Sequence, residues 1–182
     1  WMTSARRTSY NFGLQRAVEW SRVLGLPLVV LEALRVGYKY ASDRFHAFVL
    51  QGMASNQQSL SGRGVVYHPY VERAPGEGKG LVMSLANHAA VVITDDYPSF
   101  FLPKMIASAA RQISVRFELV DSNGLVPMRA TQQVFTTAFS FRAWLQKNIA
   151  THLKNRPSAD PLQDGVLPAK LGLLPPEILS KW

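Results

Sequence analysis

The run Ala89-Ala90-Val91-Val92-Ile93-Thr94-Asp95-Asp96-Tyr97-Pro98 places two adjacent carboxylates one threonine after five apolar residues. Such groups can ligate a metal, hydrogen-bond a ribose or a heterocycle, or exchange a proton as acid and base. Consecutive residues on an extended chain face opposite ways, so the two are not spaced to act as a pair. A structural role competes: with Pro98 and Ser99 following, either carboxylate would cap the next helix and favour its dipole. The functional reading rests on position. Ala89 to Ile93 reads as a strand buried on both faces, the mark of a central parallel strand, and in open α/β sheets ligands collect outside the strand carboxyl ends.

Other chemistry-bearing groups give less. Gly76-Glu77-Gly78-Lys79-Gly80 resembles a phosphate loop but lacks the Ser or Thr after the lysine and the preceding strand at the required distance; it reads as a flexible surface loop. His46, His68, His88 and His152 show no paired metal spacing, and no Gly-x-Ser-x-Gly elbow accompanies them, which argues against a hydrolase or a metalloenzyme. Arg6, Arg7 and Asn11 fall where a first strand would turn into a helix; arginines and helix amides there can hold an anion or cofactor, or form only a solvated basic turn. Trp20 and Trp144 read as core or interface residues rather than stacking platforms.

The elements that must position these groups follow from the patterning. A length of 182 residues with 47% hydrophobic content suits one domain, or one domain plus a tail. A formal charge of +8 favours polyanions, although no run of like charges marks a nucleic-acid arm. The absence of cysteine excludes disulfides, thiolate zinc sites and cysteine nucleophiles and fits a cytoplasmic compartment. No leader or bilayer-length apolar stretch supports secretion or membrane insertion. Trp1-Met2, followed at once by Arg6-Arg7, reads as the end of a strand whose beginning is missing.

An amphipathic helix carrying Leu14, Ala17, Val18 and Leu24 ends at Gly25, and a buried strand runs from Pro27 to about Leu34. Ser42 caps a second helix with the stripe Phe45, Phe48, Val49, Met53, stopping near Ser61-Gly62. Gly64 to Tyr67 is a short strand, Glu72 to Gly80 a loop and Leu81 to Ala86 a short helix. After Pro98 a helix spans Phe100 to Gln112, and Val115 to Val120 alternates as a half-exposed strand. This alternation predicts an α/β fold with a parallel sheet and helices on both faces. A helix from about Ser140 to Lys154 carries Phe141, Trp144, Leu145, Ile149 and Leu153. Thereafter Pro157, Pro161, Pro168, Pro175 and Pro176 predict an extended linker rather than packed structure. Glu177 to Trp182 reads as the first turn of a helix belonging to something further on.

The opening Trp1-Met2-Thr3-Ser4-Ala5-Arg6-Arg7-Thr8-Ser9-Tyr10-Asn11-Phe12-Gly13-Leu14-Gln15-Arg16-Ala17 resembles the start of the DNA photolyase/cryptochrome family, nearest the class II cyclobutane-dimer photolyases. The resemblance continues through Glu19-Trp20, Leu26 to Val30, Thr94 to Pro98, Val120 to Pro127, Thr137 to Arg142 and Leu174 to Ile178. In the common pattern an Asp-Asn pair follows the arginine turn, whereas Tyr10 precedes Asn11 here, as suits the class II branch. The resemblance implies a Rossmann-like antenna domain over residues 1–155 and a linker over 156–182 toward a C-terminal helical domain that holds FAD. It also implies an antenna chromophore, 8-hydroxy-deazaflavin or methenyltetrahydrofolate, at the strand carboxyl ends, with Met2, Arg6, Asp95 and Asp96 as candidate contacts by position. The implied whole is a monomeric deoxyribodipyrimidine photolyase acting on UV-damaged DNA, of which this segment is not catalytic alone. A photoreceptor or degenerate non-repair homologue, and a free-standing nucleotide-binding domain, are the alternatives.

Overall fold

The computed structural model describes residues 1–163, 167 and 172–182. Among the described residues six α-helices and four strands follow in the order α1 (Phe12–Leu24), β1 (Leu28–Leu34), α2 (Asp43–Leu60), β2 (Val65–Val71), α3 (Leu81–Ala86), β3 (Val91–Asp95), α4 (Leu102–Ala110), β4 (Arg116–Val120), α5 (Ala138–His152) and α6 (Pro176–Lys181). The α/β fold expected from the alternation is the one observed. β1 pairs in parallel with β2, and β3 in parallel with β4. Between the two ladders runs the start of the chain: Met2 bridges Glu32 in parallel and donates to Leu31 O at 2.9 Å, while Trp1 N donates to Ile93 O at 2.9 Å. The order across the sheet is therefore β2, β1, Trp1–Met2, β3, β4.

Local chemistry explains the boundaries. Asn11 caps α1, its Oδ1 accepting from Leu14 N at 2.9 Å, and Gly25 ends that helix at φ 66°, a left-handed conformation that glycine adopts without Cβ strain. Ser42 caps α2 and Thr137 caps α5. β2 is longer than the four residues expected and takes in Pro69, which is exposed on this outer strand, where a missing N–H is tolerated.

Alternation along β1 sorts the core. Leu28 and Val30 pack with Leu14 and Val18 of α1 and Leu60 of α2. Leu31 faces the other way, with Val29 and Ala33, onto Leu81 of α3 and Ile178 of α6. Helices therefore cover both faces. On α2 the inward residues are Val49, Met53, Asn56 and Leu60; Phe45 and Phe48 of the expected stripe lie on the solvent side, so apolar spacing at the start of this helix does not mark its core face.

β3 is shifted toward its polar end relative to expectation: Val91 and Val92 are only half-buried, and burial is deepest at Ile93, Thr94 and Asp95. The described residues of the proline-rich stretch before α6 are irregular, but they are not unpacked. Leu162 and Leu167 enter the core on the α1–α2 side, and Leu174 and Ile178 the core on the other. Prolines prevent regular hydrogen bonding without preventing side-chain burial. α6 belongs to this core: Ile178 is fully buried, and Trp182 Nε1 donates to Glu77 O at 3.0 Å. Pro168 lies outside the described residues.

Candidate functional site at the sheet carboxyl ends

From Trp1–Met2 the chain proceeds through α1 to β1 on one side, and it later returns to β3 on the other. Connections diverging this way open a crevice at the carboxyl ends, the topological switch point of an α/β sheet. Asp95, last residue of β3, lies buried at this point. Its Oδ2 accepts from Thr3 N at 2.8 Å, Ser4 N at 2.8 Å, Ala5 N at 3.2 Å and Thr3 Oγ1 at 3.1 Å. Three successive amides converging on one oxygen form an anion nest, which a carboxylate of the chain itself fills. Thr94 Oγ1 adds a bond to Trp1 O at 2.9 Å.

Neither carboxylate caps a helix, which corrects the structural expectation for this pair. α4 begins only at Leu102, after a loop with Phe100 at φ 67°, and has no side-chain cap. Asp96 turns away from Asp95, as neighbours on an extended chain do. Its Oδ2 accepts from Arg129 Nε at 3.0 Å with Nη2 ion-paired at 3.0 Å, and its carbonyl accepts from Asn123 Nδ2 at 2.6 Å, so it organises the segment after β4.

Arg6 follows the nest. Its guanidinium donates to Ala33 O and places Nη1 3.5 Å from Glu32 Oε1, leaving that buried nitrogen without a hydrogen bond. Glu32 Oε2 is well satisfied, by Asn56 Nδ2 at 2.9 Å and Tyr67 OH at 2.6 Å. Burial pushes the Tyr67 phenol well above its ordinary range, and the bond to Glu32 adds to this. Burial lowers Arg6, and the Glu32 charge opposes that. Met2 is a core residue beside this cluster. Met2, Arg6 and Asp95 thus gather around one turn, while Asp96 faces another. Glu32 and Tyr67 escaped the sequence reading, yet one carboxylate inside Leu28–Leu34 was a signal, since a charge in an apolar strand must be paired.

Aromatic residues rim the crevice on the loops after β1 and β3. Tyr38 lies 5.8 Å from Phe101 and 6.5 Å from Phe100 between ring centroids, and Arg35 sits over the Phe101 ring at 5.8 Å. Tyr40 (φ 70°) and Phe100 (φ 67°) hold left-handed backbone conformations, which cost non-glycine residues about 1–3 kcal/mol each.

A second cluster lies beyond β4. Glu118 accepts from Arg16 Nε at 2.8 Å, Trp20 Nε1 at 3.0 Å and Arg116 Nε at 2.6 Å, and both guanidinium carbons stand 4.9 Å from the Trp20 ring centroid. The Arg16 bond, with those from Trp20 and Arg116, outweighs burial and holds Glu118 at about 2. Trp20 is accordingly half-buried between cations rather than a core residue. Arg16, Arg116 and Glu118 line a cleft of about 670 Å³ with Phe12, Leu125 and His152.

The glycine loop is built on Glu72, whose carboxylate accepts from Val36, Gly76 and Gly78 amides at 2.9–3.2 Å, so amides that could hold a phosphate are taken. His68 is buried on β2 with its ionisation lowered by burial. Among the described residues no group of three His, Asp or Glu could hold a metal, and no helix is long and apolar enough to cross a membrane.

A parallel sheet with its switch point at the first turn serves many unrelated functions, and sequence comparison narrows the choice. The chain is similar to a photolyase. Over 150 residues it is 25% identical to the deoxyribodipyrimidine photo-lyase of Methanothermobacter thermautotrophicus, a match covering 82% of this chain and 33% of the relative. The chain spans about a third of that photolyase's length. No family model matches the sequence.

Proposed function

We propose that the chain is the N-terminal light-harvesting domain of a deoxyribodipyrimidine photolyase of the class II kind, which repairs UV-induced cyclobutane pyrimidine dimers in DNA with blue light and reduced FAD. The observation that carries this is the similarity to a photolyase across 82% of the chain, on an α/β fold of the matching kind. In this reading residues 1–155 form the antenna domain. Residues 156–182 are the linker to a helical domain that holds FAD, and among its described residues Leu162 and Leu167 enter one core and Leu174 and Ile178 the other. The protein works as a cytoplasmic monomer, and this segment does not repair DNA alone.

The donor set at the first turn suits an antenna chromophore. Arg6 Nη1 is a buried donor lacking a hydrogen bond, matched to the carbonyl edge of a planar heterocycle such as 8-hydroxy-deazaflavin or methenyltetrahydrofolate. Of the four expected contacts, Arg6 would hold and orient it beside Met2 and Asp95 at this turn, while Asp96, turned toward Arg129, would not share the contact. When bound, the chromophore supplies near-ultraviolet or blue absorption and excitation for the flavin. A nucleotide phosphate suits the turn less well, because the amides of Thr3, Ser4 and Ala5 already serve Asp95.

The test is a repair assay on the full-length product of the gene. It should purify with flavin and remove cyclobutane dimers from irradiated DNA only under blue light. A flavin-bearing product that leaves the dimers intact would overturn the repair role in favour of a photoreceptor, and a flavin-free product would overturn the reading altogether.

A further inference from the structure

Six aromatic residues collect on the loops after β1 and β3 and on the first turns of α2: Tyr38, Tyr40, Phe45, Phe48, Phe100 and Phe101. Three are widely open, Phe48 at 76%, Tyr40 at 67% and Phe100 at 57% of full exposure. A concentration of apolar rings at one edge of a folded surface marks an interaction site. The loops hold Tyr40 and Phe100 in left-handed conformations that β-carbon-bearing residues rarely adopt, and still present their rings to solvent.

Cations are interleaved with the rings. Arg35 lies over Phe101 at 5.8 Å and Lys39 over Tyr40 at 4.9 Å. Arg44 precedes Phe45 on α2, and Lys104 follows Phe101 on α4. Asp43 is the carboxylate on the facing turn of α2, while Glu72 is directed inward onto three amides. The centre of a protein–protein interface is depleted of lysine, whereas a groove that grips unpaired nucleic acid alternates stacking rings with phosphate-binding cations.

We propose that this face binds single-stranded nucleic acid, the open rings stacking on unpaired bases and Arg35, Lys39, Arg44 and Lys104 following the phosphates. Duplex DNA offers the rings little, because its bases are already stacked. Each base stacked on a ring strengthens binding roughly five- to hundredfold. The inference is independent of light-driven repair, since its probe is undamaged and used in the dark.

Fluorescence anisotropy of the 182-residue chain with a labelled short oligothymidylate, and with a duplex of equal length, tests it. The single strand should bind saturably and more tightly than the duplex. The double variant Tyr40→Gly/Phe100→Gly, which relaxes both left-handed positions, should weaken single-strand binding by at least about tenfold. Arg142→Gln/Lys147→Gln, which removes two charges from the distant α5, should weaken it by less than about twofold. Arg35→Gln/Lys39→Gln keeps the rings and should weaken it by about tenfold with a shallower salt dependence, which decides the matter should the glycine variant fold poorly. Absence of saturable binding, equal losses from the patch and α5 variants, or a duplex held as tightly as the single strand would each overturn the proposal.

Discussion

Around β1 and β2 both sheet faces are sealed by apolar side chains, from α1, α2, Leu162 and Leu167 on one side and from α3, α6 and Leu174 on the other. Around β3 and β4 the fastening is polar. Asp95 pins the first turn, Asp96 ties down the segment after β4 through Arg129, and Glu118 gathers Arg16, Trp20 and Arg116. α5 has no fully buried residue, and its Trp144 packs mainly with Phe135 and Phe141. Apolar burial binds no protons and is not screened by counter-ions, whereas ionic fastening depends on both pH and ionic screening. The candidate site lies on the boundary between these two regimes, where the order of the strands reverses.

The sharpest attack on this contrast is to remove apolar volume from each half. Ile178→Ala should destabilise the protein by about 2–5 kcal/mol, because α6 seals one face of β1, whereas Leu145→Ala on the half-buried face of α5 should cost under about 1 kcal/mol. Urea unfolding measures both, and equal losses would erase the distinction. Asp95→Asn comes next. It withdraws charge from an oxygen that takes four donors, with an expected loss of about 2–3 kcal/mol, against under about 1 kcal/mol for Asp96→Asn, whose partner Arg129 is 79% exposed.

A pH dependence separates the halves further. Glu118 is depressed from 4.5 to about 2 in the folded state, so its stabilisation is present above pH 4.5 and is lost as the pH falls from 4.5 through about 2. Thermal melts over that window should show wild type losing its advantage over Glu118→Gln, and parallel curves would contradict the role given to the cluster. The smallest effect is expected for Arg129→Gln, an exposed partner worth no more than about 1 kcal/mol by urea unfolding.

Much of this was legible in the residues, for identifiable reasons. Asn11, Gly25 and Ser42 mark helix ends because capping is local chemistry, and the apolar runs mark strands because a two-faced burial leaves no alternation. Phe45 and Phe48 misled because spacing shows which residues share a face, not what covers that face. The prolines of the tail concealed Leu162, Leu174 and Ile178, whose burial depends on where an irregular segment crosses the sheet. At the site, position along β3 pointed to Asp95. The partner that completes Arg6 lies on β1, and the nest that engages Asp95 is made of backbone amides, which carry no side-chain signature.

The claim that the turn from Met2 to Arg6 and the end of β3 serve an antenna chromophore is tested most directly by titration. Adding 8-hydroxy-deazaflavin, and separately methenyltetrahydrofolate, to the 182-residue chain should give, for one of them, a saturable one-to-one absorption shift that Arg6→Gln weakens by about tenfold. No shift with either compound, or a shift unchanged by Arg6→Gln, would contradict the account.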